Sequence, residues 1–308
     1  MLDTHPERTI YAVTRLFDGE KTIEENEIVE DSGHFRSVLL AARAATHYKK
    51  SPVSQLHLDF VVETRCTLRC RHCNNLMQFY DTSQHKQQTI DELKTYADHL
   101  FATIPYVGQI CVLGGETLLY PELDQFLDHL VKYRDQYGDA HIFTNGTIQP
   151  SQPLLDSLRR NRFLVEISKY DSVPEEKRKA VKASLVENNV NWCETSSPWK
   201  ANEASTPHHR DEATLQQVFS GCLCGHCRSY YRGELHICPR SAHGTDLGLI
   251  EKNEDDFFDL NKEWGHSLTE QALRFLAKPM PSIAACDICN YSYNFTTEVT
   301  AGDQIKKD

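Results

Sequence analysis

The sequence predicts an α/β protein built on a parallel sheet or barrel, and two observations carry that prediction. Between residues 56 and 193, short apolar runs of strand character alternate with helical stretches. Strands separated by helices of that length imply right-handed βαβ units. Polar and glycine-rich loops also follow four of those strands, at the carboxyl ends where such folds place their sites. With 308 residues, 40% hydrophobic and 25% charged, the chain can bury one large domain and a smaller one.

Taken in order, residues 1–52 are expected to form an extension packed on the core. Tyr11-Ala12-Val13 has strand character, and Val38, Leu39, Ala42 and Ala45 mark a helical stripe. Residues 53–205 are expected to form the core and residues 206–308 a second domain. The first strand spans 56–62. Thr89-Ile90-Asp91-Glu92 is a capping box opening a helix through about residue 101. A strand at 109–113 runs into Gly114-Gly115-Glu116-Thr117. Pro121 is expected in the first turn of the next helix, where Leu123, Phe126, Leu127, Leu130 and Val131 repeat at helical spacing, with Gly138 at its end. A third strand, 141–143, ends in Thr144-Asn145-Gly146. A short helix at 154–159, a strand at 163–168 ending in Ser168, a charged helix at 175–188 and a strand at 190–193 follow. Ser, Thr, Pro and Asn between 194 and 217 mark a linker, with His208-His209 solvated and Trp199 packed. Residues 228–237 predict a hairpin turning at Arg232-Gly233.

A net charge of −11 argues against nucleic acid, which selects a basic face. No run of about 18 apolar residues predicts a transmembrane helix. The start, Met1 to Arg8, lacks a signal-peptide pattern, so a cytoplasmic protein without a membrane partner is expected. Eleven cysteines in such a chain point to metal or redox work rather than disulfides. Cys111 and Cys193 sit in apolar strand-like runs and are expected to be structural.

The remaining cysteines form two blocks. In Cys66-Thr67-Leu68-Arg69-Cys70-Arg71-His72-Cys73, three thiols on one loop can cap three corners of an iron–sulfur cubane and leave one iron open. Zinc is the alternative, although His72 is too tightly wedged to supply a fourth ligand easily. The second block comprises Cys222, Cys224 and Cys227, then Cys238, then Cys286 and Cys289. Counting outward from the hairpin turn sets Cys227 opposite Cys238, with Cβ atoms about 5 Å apart. Zinc and iron–sulfur are both compatible with that set.

The spacing C-x3-C-x2-C after a first strand resembles the signature of the radical S-adenosylmethionine (radical SAM) enzymes. The resemblance implies a partial (β/α)6 TIM-like barrel. Cys66, Cys70 and Cys73 would hold a [4Fe–4S] cluster whose open iron chelates SAM. Reductive cleavage then gives a 5′-deoxyadenosyl radical that abstracts hydrogen from substrate. His72 stands where the family usually has an aromatic residue near the adenine. Gly114-Gly115-Glu116 resembles the motif whose backbone meets the SAM amino group, with Thr117 in place of the common Pro. Thr144, Asn145 and Ser168 resemble the strand ends that hold the ribose and carboxylate; from the residues alone, Asn-Gly is foremost a turn signal.

The second block is similar to the SPASM/twitch extension, which holds an auxiliary [4Fe–4S] cluster; the one-cluster twitch form is expected. Family spacing selects Cys222 as the first ligand, hairpin geometry selects Cys227, and Cys224 is a third choice; Cys238, Cys286 and Cys289 complete the set. The expected function is a radical SAM oxidoreductase acting on a sugar- or aminocyclitol-like small molecule, by oxidation, epimerisation or rearrangement, with an electron donor such as flavodoxin or ferredoxin. The alternatives are a ribosomal-peptide maturase, a glycyl-radical activating enzyme, and a non-catalytic zinc or iron–sulfur scaffold. Tyr170 or Cys193 would return a hydrogen atom in an epimerisation, and Arg240 and His243 would either orient substrate or hydrogen-bond near the auxiliary cluster.

Overall fold

The computed structural model describes residues 57–85, 87–196, 199–202, 206–222, 227–277, 282–292 and 296–305. The expectations for residues 1–52, and Cys224, lie outside the described residues.

The strands are β1 (His57–Glu63), β2 (Val107–Gly114), β3 (Tyr137–Thr144), β4 (Leu164–Ser168), β5 (Asn191–Thr195), β6 (Trp199–Lys200), β7 (Cys227–Tyr231), β8 (Glu234–His236), β9 (Phe257–Asp259) and β10 (Glu298–Val299). Eight of them form one sheet in the order β5-β4-β3-β2-β1-β7-β8-β9. From β5 to β7 every pairing is parallel, and β8 and β9 add antiparallel. The described strands thus form an open sheet with six parallel members. The sixth is β7: the sheet crosses the boundary expected at residue 206, because β7 pairs with β1 in the register His57 to Cys227.

The helices are α1 (Ile90–Thr103), α2 (Leu123–Leu130), α3 (Gln152–Asn161), α4 (Glu175–Glu187), α5 (Glu212–Ser220), α6 (Pro239–Asp246) and α7 (Thr269–Ala277). The Thr89/Glu92 capping box opens α1 as its sequence dictates. Pro121 instead precedes the α2 N-cap, Glu122. Gly138 lies inside β3, where a Cβ would stand 2.5 Å from the Gly108 carbonyl oxygen. Within the expected linker, the described residues hold the end of β5, β6 and the start of α5, which Asp211 caps.

Alternation along the strands sorts two faces. Leu58, Phe60, Ile110, Val112, Ile142, Val165 and Ile167 belong to one hydrophobic core with Leu93, Leu100, Phe126, Leu127, Leu155 and Leu158 of the helices. Each such side chain contributes about 1.5–3 kcal/mol by leaving water. The intervening positions carry Asp59, Gln109, Asp139, His141 and Glu166, all buried. A polar inner face is what separates these strands from the near-continuous apolar runs of ordinary parallel sheets.

Candidate functional site

At the end of β1, the Glu63 carboxylate accepts from the backbone N–H of Thr64 and of Arg65, both at 2.9 Å, and turns the chain into the cysteine loop. The end of β2 lies directly against that turn. Gly115 N donates to Glu63 O at 2.9 Å, and Glu116 N to Arg65 O at 2.8 Å. A Cβ on Gly114 would stand 2.0 Å from Glu63 O, and one on Gly115 2.2 Å from Arg65 O. The glycine pair therefore admits the cysteine loop itself.

Glu116 is fully buried, and it acts as a clamp between strand ends. Its carboxylate accepts from Thr144 Oγ1 at 2.7 Å, Asn145 N at 2.8 Å and Leu118 N at 3.0 Å. Burial pushes its carboxyl upward against those donors. Asn145 passes the restraint on: Nδ2 donates to Thr67 Oγ1 at 3.1 Å and points to Cys66 Sγ at 3.8 Å.

These loops surround a cavity of about 350 Å³. Cys66, Cys70 and Cys73 line it together with His72; so do Gly114, Gly115, Thr144, Asn145 and Ser168 from three other strand ends. Tyr170 also lines it and hydrogen-bonds the Ser168 hydroxyl. Trp199 lines the cavity as well, edge-on to Tyr170 at 5.2 Å, rather than merely packing. Two expected contributors stand apart. Glu116 acts from behind the lining, and Cys193 sits in the hydrophobic core beside Glu166 in register. Cys111 is buried as expected, with His57 Nε2 3.0 Å from its sulfur.

In the second block, Cys238 caps α6, its sulfur accepting from Ser241 N at 3.3 Å. Burial pushes the Cys238 and Cys286 thiols up, and the other cysteines of the block, Cys222 and Cys289 included, push both the same way. Cys238 packs against the small hydrophobic cluster that contains Cys286, and an isolated bridge pairs Cys222 with Ser292, three residues beyond Cys289. Arg232 (φ 51°) and Gly233 (φ 76°) form the tight turn expected, and the register extends to Cys227 opposite Cys238. Arg240 and His243 stay off the cavity; the His243 imidazole bonds the Tyr80 hydroxyl at 3.0 Å, and burial pushes it down to about 3.

Residues 61–194 match the family model described as Radical SAM superfamily. This stretch is a radical SAM domain. Among solved structures the chain is similar to anSMEcpe with bound AdoMet and Cp18Cys peptide, at 16% identity and TM-score 0.36 over 45% of this chain and 42% of that one. It is similar to SuiB of Streptococcus suis bound to S-adenosylmethionine, at 15% identity and TM-score 0.39 over 62% and 45%. It is also similar to BtrN in complex with AdoMet and 2-DOIA, at 14% identity and TM-score 0.44 over 78% and 98%. The chain spans less than half the length of the anSMEcpe and SuiB structures that it matches. No curated protein sequence matches it.

Radical SAM enzymes use a [4Fe–4S] cluster and SAM, and the residues present fit that cluster. Three thiols share one loop and one cavity, each within electrostatic reach of the others. Burial pushes Cys66 and Cys70 up to about 12, so their protons stay until a metal displaces them. None of the ten described cysteines is in a disulfide.

Sequence reasoning missed two parts of the site in this radical SAM domain. The first is a tail segment that crosses the cysteine loop. Arg71 N donates to Asp303 O at 2.7 Å, Ile305 N to Arg69 O at 2.8 Å, and Gln304 Nε2 to Cys70 Sγ at 3.1 Å. The positive-φ Gly302 presses on the Tyr170 ring, where a Cβ would stand 2.5 Å from Cγ. No local pattern in those residues announces a partner more than two hundred positions away.

The second is the cavity floor, where Glu166 is braced from beneath. His141 Nδ1 lies 3.2 Å from Glu166 Oε2 and its Nε2 lies 2.5 Å from Asp139 Oδ2, while Thr195 Oγ1 donates to Glu166 Oε1 at 3.1 Å. Burial opposes the imidazolium, but the two carboxylates outweigh it and hold His141 above its ordinary 6.5. A folded-state value raised above the unfolded one stabilises fully below about pH 6.5 and is lost as pH rises through the raised value. His141→Gln is therefore expected to remove that decline from the urea midpoint, read between about pH 5 and pH 9.

Proposed function

We propose that Cys66, Cys70 and Cys73 hold the SAM-binding cluster, and that this radical SAM enzyme abstracts hydrogen from a small, polar, sugar- or aminocyclitol-like molecule. The observation that carries the reading is convergence: the three thiols, Gly114-Gly115, Thr144, Asn145 and Ser168 come from four strand ends and line one cavity. When bound, the cluster and SAM supply an electron and a 5′-deoxyadenosyl radical. A flavodoxin- or ferredoxin-type donor provides the electron.

The chain's own residues do the rest. The backbone at Gly114 and Gly115 lies open to the SAM amino group, Thr144, Asn145 and Ser168 offer hydrogen bonds to its ribose and carboxylate, and His72 offers a ring near the adenine. Glu166 on the cavity floor presents carboxylate oxygens to hydroxyl or amino groups of a substrate. Tyr170, which lines the cavity, returns a hydrogen atom in an epimerisation, and Cys193, which lies in the hydrophobic core, does not. Cys222, Cys238, Cys286 and Cys289 hold an auxiliary [4Fe–4S] cluster, the four-thiol set such clusters take.

Anaerobic reconstitution with SAM and dithionite tests the substrate class. Polyols or aminocyclitols are expected to raise 5′-deoxyadenosine formation about tenfold or more over the substrate-free rate, an acceleration of about 1.4 kcal/mol. Stimulation by peptides alone would overturn the small-molecule reading.

A further inference from the structure

Arg240 stands between the two thiol groups. It is 1% exposed and heads the fully buried side chains by volume among the described residues. Its Nη1 donates to Ile288 O at 2.7 Å, Nη2 to Asn202 O at 2.6 Å and Nε to Asn74 Oδ1 at 3.4 Å. Asn74 follows Cys73 and Ile288 precedes Cys289, so the guanidinium is pinned to both cysteine segments at once. Its charge is felt by Cys73 on one side and by Cys289 and Cys238 on the other.

Asn202, 0% exposed, ties the same two segments. Its Nδ2 donates to Asn74 Oδ1 at 3.2 Å and points to Cys289 Sγ at 3.7 Å. Its backbone N–H donates to His72 Nδ1 at 3.1 Å, and its Oδ1 accepts from Asn290 N at 2.9 Å. Together these bonds fix the place of the charge between the two centres.

Burying a guanidinium costs several kcal/mol unless negative charge compensates it. A thiolate-ligated cluster supplies such charge, and its reduction potential is set by nearby charge and hydrogen bonding. We propose that Arg240 is a cation shared by the two cysteine centres, raising the reduction potential of both, with Asn74 and Asn202 holding it in place. The proposal rests on the reading of Cys222, Cys238, Cys286 and Cys289 as an auxiliary cluster. Its consequence is that the two centres are electrostatically linked rather than independent.

The test is an EPR-monitored redox titration of the reconstituted full chain. Wild type is expected to hold about eight irons in two centres. Arg240→Gln is expected to lower both potentials by about 59 mV or more, a tenfold loss in each one-electron reduction equilibrium. Arg240→Lys, which keeps the charge, is expected to restore most of each shift. An Arg240→Gln protein that keeps its iron and shows one potential or neither moved would overturn the proposal. Where Arg240→Gln holds no iron, Asn74→Asp replaces it, setting a carboxylate against the guanidinium. The auxiliary potential is then expected to fall although Asn74 belongs to the other loop, and an unchanged value would overturn the link. About four irons in wild type would instead defeat the two-centre reading itself.

Discussion

Gly115→Ala is expected to strip iron from the cysteine trio and to destabilise the protein by more than about 3 kcal/mol, the upper end of ordinary overpacking. The new Cβ would stand 2.2 Å from Arg65 O and 2.9 Å from Cys66 Cβ. Neither neighbour is the loose end of a side chain, so the cysteine loop itself must move. Such a loss is a large share of the roughly 5–15 kcal/mol that holds a typical domain together. Gly248→Ala is the control. Its φ of +70° strains a side chain, yet nothing lies within 4 Å of its Cβ. It is expected to cost about 1–2 kcal/mol, the ordinary left-handed penalty, and to leave the iron in place. Thermal melting and iron content of the two variants decide the matter.

The second large effect separates Cys222 from Cys227. Cys222→Ala is expected to remove about four of about eight irons, whereas Cys227→Ala retains them. Cys222 pairs with Ser292, three residues beyond Cys289, and Cys227 opens β7, alongside His57 of β1. The opposite pattern of iron and sulfide loss would return the first-ligand role to Cys227.

The strand–helix alternation was legible because local periodicity writes it, and the α1 capping box and the Arg232-Gly233 turn are local as well. What escaped was set by distant pairing. Nothing in residues 227–231 announces that they join β1, 170 positions earlier, as the sixth parallel strand. Hairpin register alone favoured Cys227, and no local pattern shows that Cys222 pairs with Ser292, beside the Cys286–Cys289 turn. Gly138 looked like a helix end, since a glycine needed for close strand approach reads the same as one needed for a cap. Glu116 kept its place beside the glycines but serves the strand ends rather than the cavity. A clearer clue stood unused: the charged Glu166 inside the apolar run Val165-Glu166-Ile167 marks a strand with a polar inner face.

The central claim is that the trio of Cys66, Cys70 and Cys73 holds the iron at which SAM is cleaved. Its most direct test measures dithionite-dependent 5′-deoxyadenosine from wild type and from the triple alanine variant, each reconstituted anaerobically. The account predicts turnover in wild type, and in the variant none, with about four irons left in the second centre. Undiminished 5′-deoxyadenosine from the triple variant would contradict it.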